Sequence, residues 1–398
     1  MLMFLTKIFS SYISIPFTKQ ITDFNESYLF DNNILVQLSI GTPKINIKLN
    51  IDFYGRLTYI PDISLGGLYS NNSKSFKNIS EEIFQYTYNS KTYYFFFAQD
   101  NFYIHDRLIE NINFSYIYYS PNNGTLEHGL LGFEKPSFKD EQNIKYQLKK
   151  KGLINDYIHK IKFLNEKYGE IIVGTNTSEI TNTEVITAIE ISYENMFIKF
   201  KEIKYKNTTE TNPRIRINYN LRGIFVTSSY FKLINETFFL PLINKNKCKI
   251  VSMNNSNNKF IYFICDKDVD TKNFEEINII NFKQNITFKL THNDLFKIYN
   301  NKKFCLVFHD LNEPAKWTLG QIFFEKYPMI INEESNSAIY YIKNNSSNYF
   351  IINIIIVFIC LIIIIILSLI IVNLIKNKPR RIKANELEDN YEYLIFKN

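Results

Sequence analysis

A chain of 398 residues with 46 basic and 39 acidic side chains, formally +7 at pH 7, is long enough for one large or two medium domains. A hydrophobic share of 45% supports a packed core and excludes a disordered chain. The basic residues are scattered among asparagines without an arginine-rich patch, which excludes a nucleic-acid partner. His105, His128, His159, His292 and His309 lie apart and no Cys-x-x-Cys pair occurs, so neither a metal site nor a cofactor is expected.

In chain order, Lys7 precedes the moderately apolar run Ile8–Phe17, and residues 1–17 read as a weak signal segment. Ile34–Ile40 and Lys44–Asp52 alternate apolar and polar residues, which predicts half-buried strands joined by the turn Gly41-Thr42-Pro43. Further strand-like runs are Tyr93–Phe97, Glu170–Val173, Met196–Phe200, Phe260–Cys265, Ile286–Leu290 and Ala338–Ile342. Helices are predicted over Asn143–Lys151, stopped by Gly152, and over Asn155–Leu164. Many short strands with few helices indicate a mainly β body. Asp52 to Pro61 and Asn218 to Thr227 each run from a polar strand end through a turn into an apolar strand, a weak internal repeat.

Outside the apolar run that holds Cys360, the cysteines are Cys248, Cys265 and Cys305. An odd number allows one bridge and a free thiol, or no bridge. Cys305 and His309 read as a strand cysteine near a surface histidine rather than a thiol nucleophile and its base. From Tyr349 to Ile375 no charged residue occurs, and Lys376, Lys378, Arg380, Arg381 and Lys383 follow. A run of that length and apolarity predicts a membrane-spanning helix over 349–375 with a cytoplasmic tail over 376–398. The body is then lumenal or extracellular. About a dozen Asn-x-Ser/Thr sites, among them Asn78, Asn113, Asn207, Asn235 and Asn285, agree with a secreted glycoprotein, although abundant asparagine produces many by chance. The tail segment Tyr391–Phe396 is similar to a tyrosine-based sorting signal.

Several segments, taken in order, resemble the pepsin family of aspartic proteases: Ile40-Gly41-Thr42-Pro43; Asp52 through Pro61; Tyr88, twelve residues before Asp100; Gly129-Leu-Leu-Gly-Phe133 with Pro136-Ser137; Gln147 through Ile154; Gly169 through Gly174; and Trp317-Thr-Leu-Gly320 with Phe323, Phe324 and Tyr327. The resemblance covers roughly residues 12–343 and implies a bilobed acid-protease fold, with lobes over 18–185 and 186–343 and a cleft between them. It implies that Asp52 and Asn218 meet at the cleft floor, with Tyr88 on a flap hairpin above. It also implies a bridge between Cys265 and Cys305, while Cys248 could instead pair with Cys265.

In that family two aspartates share one proton, the charged one activating water while the neutral one protonates the carbonyl oxygen. Here Asp52 stands in the first position and Asn218, an amide without acid or base function, in the second. The hydroxyl residue that follows each family aspartate is replaced by Phe53 and Tyr219, and the next glycine by Tyr54 and Asn220. The residue after that is Gly55 in one half and Leu221 in the other. Asn89, Lys91 and Thr92 replace the flap glycines, and Gln321 the aspartate after Leu319-Gly320. The expected protein is a membrane-anchored monomer that keeps a peptide- or protein-binding cleft with impaired or lost proteolysis. The alternatives are an active aspartic endopeptidase and a glycosylated ectodomain without cleft function.

Overall fold

The strands follow from alternation. In Ile45–Asp52 the side chains of Ile47, Leu49 and Ile51 are buried, while Asn46 and Lys48 between them are exposed. The computed structural model describes residues 12–19, 34–88, 91–122, 124–136, 141–165, 167–174, 185–192, 197–255, 258–282, 286–335, 338–342 and 358–372. It divides into two units, Met1–Lys343 and Asn344–Asn398.

Within the first unit one strand arrangement occurs twice. Ile45–Asp52 pairs in parallel with Gly129–Gly132, Asp52 lying opposite Gly132. Tyr59–Pro61 then runs antiparallel to Gly129–Gly132 and parallel to Arg107–Tyr119. In the second half Arg214–Ile217 pairs in parallel with Trp317–Leu319. Ile224–Phe225 runs antiparallel to Trp317–Leu319 and parallel to Val307–Asp310. Each half therefore sends a strand into a turn and brings the chain back along the same central strand. The weak repeat in the sequence is this duplicated motif.

A further ladder joins the halves. Tyr12–Lys19 pairs with Tyr168–Gly174, which pairs with Ile158–Phe163, which pairs with Met329–Asn332. Met329–Asn332 then pairs with Ala338–Ile342, and that strand with Val185–Ser192. One apolar cluster runs through both halves, from Ile13 to Ile331. A second, smaller cluster of Leu65, Tyr93, Phe95, Ile117 and Leu126 lies under the hairpin formed by Phe84–Tyr88 and Lys91–Ile104.

The helix expected over Asn143–Lys151 forms over Ile144–Lys150. Asn143 caps it by accepting from the amides of Lys145 and Tyr146, and Gly152 follows it at φ +67°. The helix expected over Asn155–Leu164 does not form. That stretch is the strand Ile158–Phe163, hydrogen-bonded on both edges. His159 and Ile161 face inward and Lys160 and Lys162 outward, a period of two that the stretch carries and the helix reading overlooked.

Of the expected glycan acceptors, Asn78 and Asn207 are exposed, whereas Asn113 is hydrogen-bonded to Gln99 and the carbonyl of Glu141. Asn285, most of residues 1–17 and the tail 376–398 lie outside the described residues. In the second unit residues 358–372 are helical with every residue exposed. Among the described residues no helix is long and apolar enough to cross a membrane, and the rest of 349–375 lies outside them.

Candidate active site

The duplicated motif delivers two turns, after Asp52 and after Asn218, and they are built alike. The Tyr54 amide donates to Asp52 Oδ1 at 3.0 Å, and the Asn220 amide donates to Asn218 Oδ1 at 3.0 Å. Each returning arm presses on a glycine of the central strand. A Cβ on Gly132 would lie 2.5 Å from the carbonyl oxygen of Leu57, and one on Gly320 would lie 2.2 Å from that of Gly223. Leu57 and Gly223 stand five residues beyond Asp52 and Asn218, so the approach is equivalent in the two halves. Only glycine permits it.

The turns also hold each other. Asn220 Nδ2 donates to the carbonyl of Ile51 at 3.3 Å, and the Tyr54 hydroxyl donates to the carbonyl of Ile217. Ile51 and Ile217 are the residues just before Asp52 and Asn218, so the two links are reciprocal. The sequence places Phe53 and Tyr219 where cross-links by hydroxyls were expected. Their rings pack together instead, with centroids 4.8 Å apart, and the polar links are made one position later along each turn. Gln321 secures the second turn: its Nε2 donates to the carbonyl of Tyr219 at 2.7 Å and its amide to that of Leu221 at 2.7 Å. Tyr54 and Asn220 could be read from the sequence only as departures from the family pattern. Their bonding depends on the meeting of two distant turns.

Asp52 is half-buried and ringed by tyrosines. Burial pushes the Tyr59 hydroxyl up to about 12, and the Asp52 charge adds to the shift. Tyr86 is raised chiefly by burial, with Tyr59 and Asp52 contributing. Its ring stacks on Tyr59 at 4.3 Å and is followed by Tyr88 at 6.1 Å. Tyr88 is the last strand residue before the hairpin turn, opposite Lys91. Tyr86 and Tyr88 share one face of the strand, and the Asp52 charge reaches Tyr86. The period of two in Phe84–Tyr88 carried that signal. A Cβ on Gly55 would lie 2.4 Å from Asp52 Oδ2, so glycine there gives the carboxylate its room.

Among the described residues the hydrogen bond to the Asp52 carboxylate comes from the Tyr54 amide, with no second carboxylate bonded to it. The same residues contain no group of three or more His, Cys, Asp or Glu side chains that could hold a metal ion.

On the Asn218 side lies a cavity of about 380 Å³, lined by Arg216, Asn218, Leu221, Phe225, Phe260, Asp310, Asn312, Glu313 and Thr318. Arg216 lies over the Tyr54 ring at 5.0 Å and within 3.7 Å of Glu313. Burial pushes the Tyr54 hydroxyl up, partly opposed by Arg216.

Behind the first turn, Phe53 packs on Phe133 and stacks on His159, and next to them is a buried ion group. Lys145 Nζ reaches both carboxylate oxygens of Glu333, at 2.5 and 2.6 Å, and the carbonyl of Phe133 at 2.7 Å. His159 Nδ1 lies 3.4 Å from Glu333. Nothing in the sequence singled these residues out as a group, because a helix, a strand and the residue after another strand bring them together from distant parts of the chain.

The expected bridge between Cys265 and Cys305 is absent. Cys248 is bonded to Cys265, because the two lie directly opposite in the antiparallel pair Cys248–Asn255 and Asn258–Asp266. Cys305 lies opposite Phe296 on the neighbouring pair. Burial pushes its thiol up to about 12, which disfavours the thiolate that a nucleophile needs. His309 is buried rather than on the surface, its ring nitrogens 3.2 Å from Ser228 Oγ and 3.2 Å from the carbonyl of Val226.

Comparison with protein-family models matches residues 35–339 to the eukaryotic aspartyl protease family. No curated protein sequence matches the chain.

Proposed function

The chain belongs to the eukaryotic aspartyl protease family, and on that premise we propose that it is a membrane-anchored homologue that holds peptide or protein ligands in its cleft with hydrolysis impaired or lost. Asn218 carries this reading. Hydrolysis needs one carboxylate to take a proton from water and one carboxylic acid to give a proton to the scissile carbonyl. Asn218 supplies neither, and its Oδ1 is occupied by the Asn220 amide. Its Nδ2 remains a donor suited to a ligand carbonyl. Asp52, kept clear by Gly55, remains an acceptor suited to a peptide N–H. The two turns are thus held in a protease-like arrangement that can bind peptide backbone without the paired carboxyls of the reaction. The ligand lies between lobes formed by residues 18–185 and 186–343, beneath the hairpin that carries Tyr86 and Tyr88.

The active-endopeptidase reading needs a substitute carboxylate, and Asp310 and Glu313 line the cavity beside Asn218. Both are engaged. Asp310 Oδ1 accepts from two backbone amides, and Glu313 is shared by Arg216 and Lys316. The test is cleavage of a peptide library by the full chain across pH 3–7, with and without pepstatin and beside an Asp52→Ala variant. The binding reading predicts no cleavage by folded protein. Cleavage abolished by both pepstatin and the substitution establishes the protease.

Residues 349–375 provide the anchor. The absence of charge, the all-round exposure of the helix 358–372 and the basic residues after it support a single span with a cytoplasmic tail and a lumenal or extracellular body, a monomer with acceptor sites for glycans. Retention of the chain in membranes after alkaline carbonate washing tests the anchor, and release into the wash refutes it.

A further inference from the structure

We propose that the cavity beside Asn218 is a subsite for a basic side chain, lysine or arginine, of the bound peptide, recognised by Asp310. The proposal rests on the peptide-binding reading above and names the class of ligand that reading leaves open.

At about 380 Å³ the cavity lies within the range of sites that enclose small groups. Its lining is of two kinds. Leu221, Phe225 and Phe260 are apolar, the two rings meeting edge to face at 5.1 Å. Asp310, Asn312, Glu313 and Thr318 are polar. A long aliphatic stem with a charged tip matches that pairing, because the methylenes cover apolar surface while the tip reaches a carboxylate.

The charges select the sign of the tip. Arg216 is committed to Glu313 at 3.7 Å and to the face of Tyr54, and the other Glu313 oxygen is held by Lys316 at 2.5 Å. Asp310 has no ion pair among the described residues. Its Oδ1 accepts from the amides of Asn312 and Glu313, at 2.8 and 3.3 Å, which fixes the carboxylate and leaves Oδ2 for a ligand. An ammonium or guanidinium there gains a charge-assisted hydrogen bond to an oriented acceptor. An acidic side chain meets Asp310 and Glu313, and an apolar one strips water from Asp310 without replacing its partner. Asn218, which also lines the cavity, offers Nδ2 to the peptide carbonyl, so backbone and side chain can be held together.

The experiment presents the full-length chain in detergent with a random octapeptide library and sequences the retained pool. The expected result is enrichment of lysine and arginine at one position. Asp310→Asn keeps the Oδ1 acceptor for both amides, so the turn persists, and it should reduce that enrichment about tenfold. Asp310→Lys should shift the same position towards Asp and Glu. Thermal melting of each variant confirms that it is folded. Retained peptides with no basic preference, or with a preference that survives Asp310→Asn, overturn the subsite and leave the peptide-binding reading standing. Retention of no peptide by folded protein overturns both.

Discussion

At the residue scale, Gly55 shows how little room surrounds Asp52. A methyl group there would lie 2.4 Å from Asp52 Oδ2, and the carboxylate is already tied to the Tyr54 amide. Gly55→Ala is expected to cost about 1–3 kcal/mol, the range for overpacking, read as a lower urea midpoint. Tyr54→Phe removes the hydroxyl that donates to Ile217, one of the two reciprocal links between the turns. It is expected to cost about 1 kcal/mol in the same measurement. The two turns that begin at Asp52 and Asn218 were legible in the sequence because each stands at a fixed offset within a strand–turn–strand motif. Spacing along the chain marks the hairpin at Tyr88 but does not show that Tyr86, on the same strand face, stacks on Tyr59 beside Asp52. The cysteine pairing needed the register of a hairpin, which composition and spacing do not supply.

At the element scale, the strand Ile158–Phe163 places His159 against Glu333, and the helix Ile144–Lys150 places Lys145 there from another direction. Both are hard to read from the chain: a buried lysine is rare, and residues 155–164 also read as a helix. Lys145→Ala leaves the Glu333 carboxylate buried with the weaker partner His159, at an expected cost of about 3–5 kcal/mol in chemical unfolding. Replacing Lys145 and Glu333 together by Met and Leu should cost less than Lys145→Ala alone, since no charge is stranded.

The same group sets a pH dependence. Burial pushes the His159 imidazole below its ordinary value, the neighbouring Lys145 adds to this, and Glu333 opposes it only in part. Burial pushes Glu333 up, but Lys145 and His159 outweigh that and hold it below the usual carboxylate range. For His159 the unfolded chain binds the proton more readily, so the favourable term is complete above about pH 6.5 and is lost as pH falls through the lowered folded value. For Glu333 the term is complete above about pH 4.3 and is lost below it in the same way. The expected outcome is a melting temperature that falls from pH 7 to pH 4. In a His159→Phe variant the fall between pH 7 and pH 5 should be smaller, and an unchanged slope would remove His159 from the account.

At the scale of the whole molecule, the mainly β architecture and the duplicated turn motif could be read from alternation and from the ordered set of family-like segments. That order survives because a parallel central strand, a returning arm and a close-packed glycine are needed twice for the two turns to meet. The chemistry those turns serve in a protease does not need the fold to change when it is lost. Asn218 accepts the same backbone amide that an aspartate would, and the meeting of the turns has passed to Tyr54, Asn220 and the packed rings of Phe53 and Tyr219. Turns held this way do not depend on a second carboxylate, which supports the proposed binding without turnover.

The most direct test incubates the full-length chain in detergent with a defined peptide library at pH 3–7, separates bound from free peptides, and reads both pools by mass spectrometry. The account predicts a bound pool of intact peptides and no new termini in either pool. New termini at a common bond, absent when Asp52→Ala is used, would contradict it and show that Asp52 finds a second proton-transfer group where the turns supply an amide.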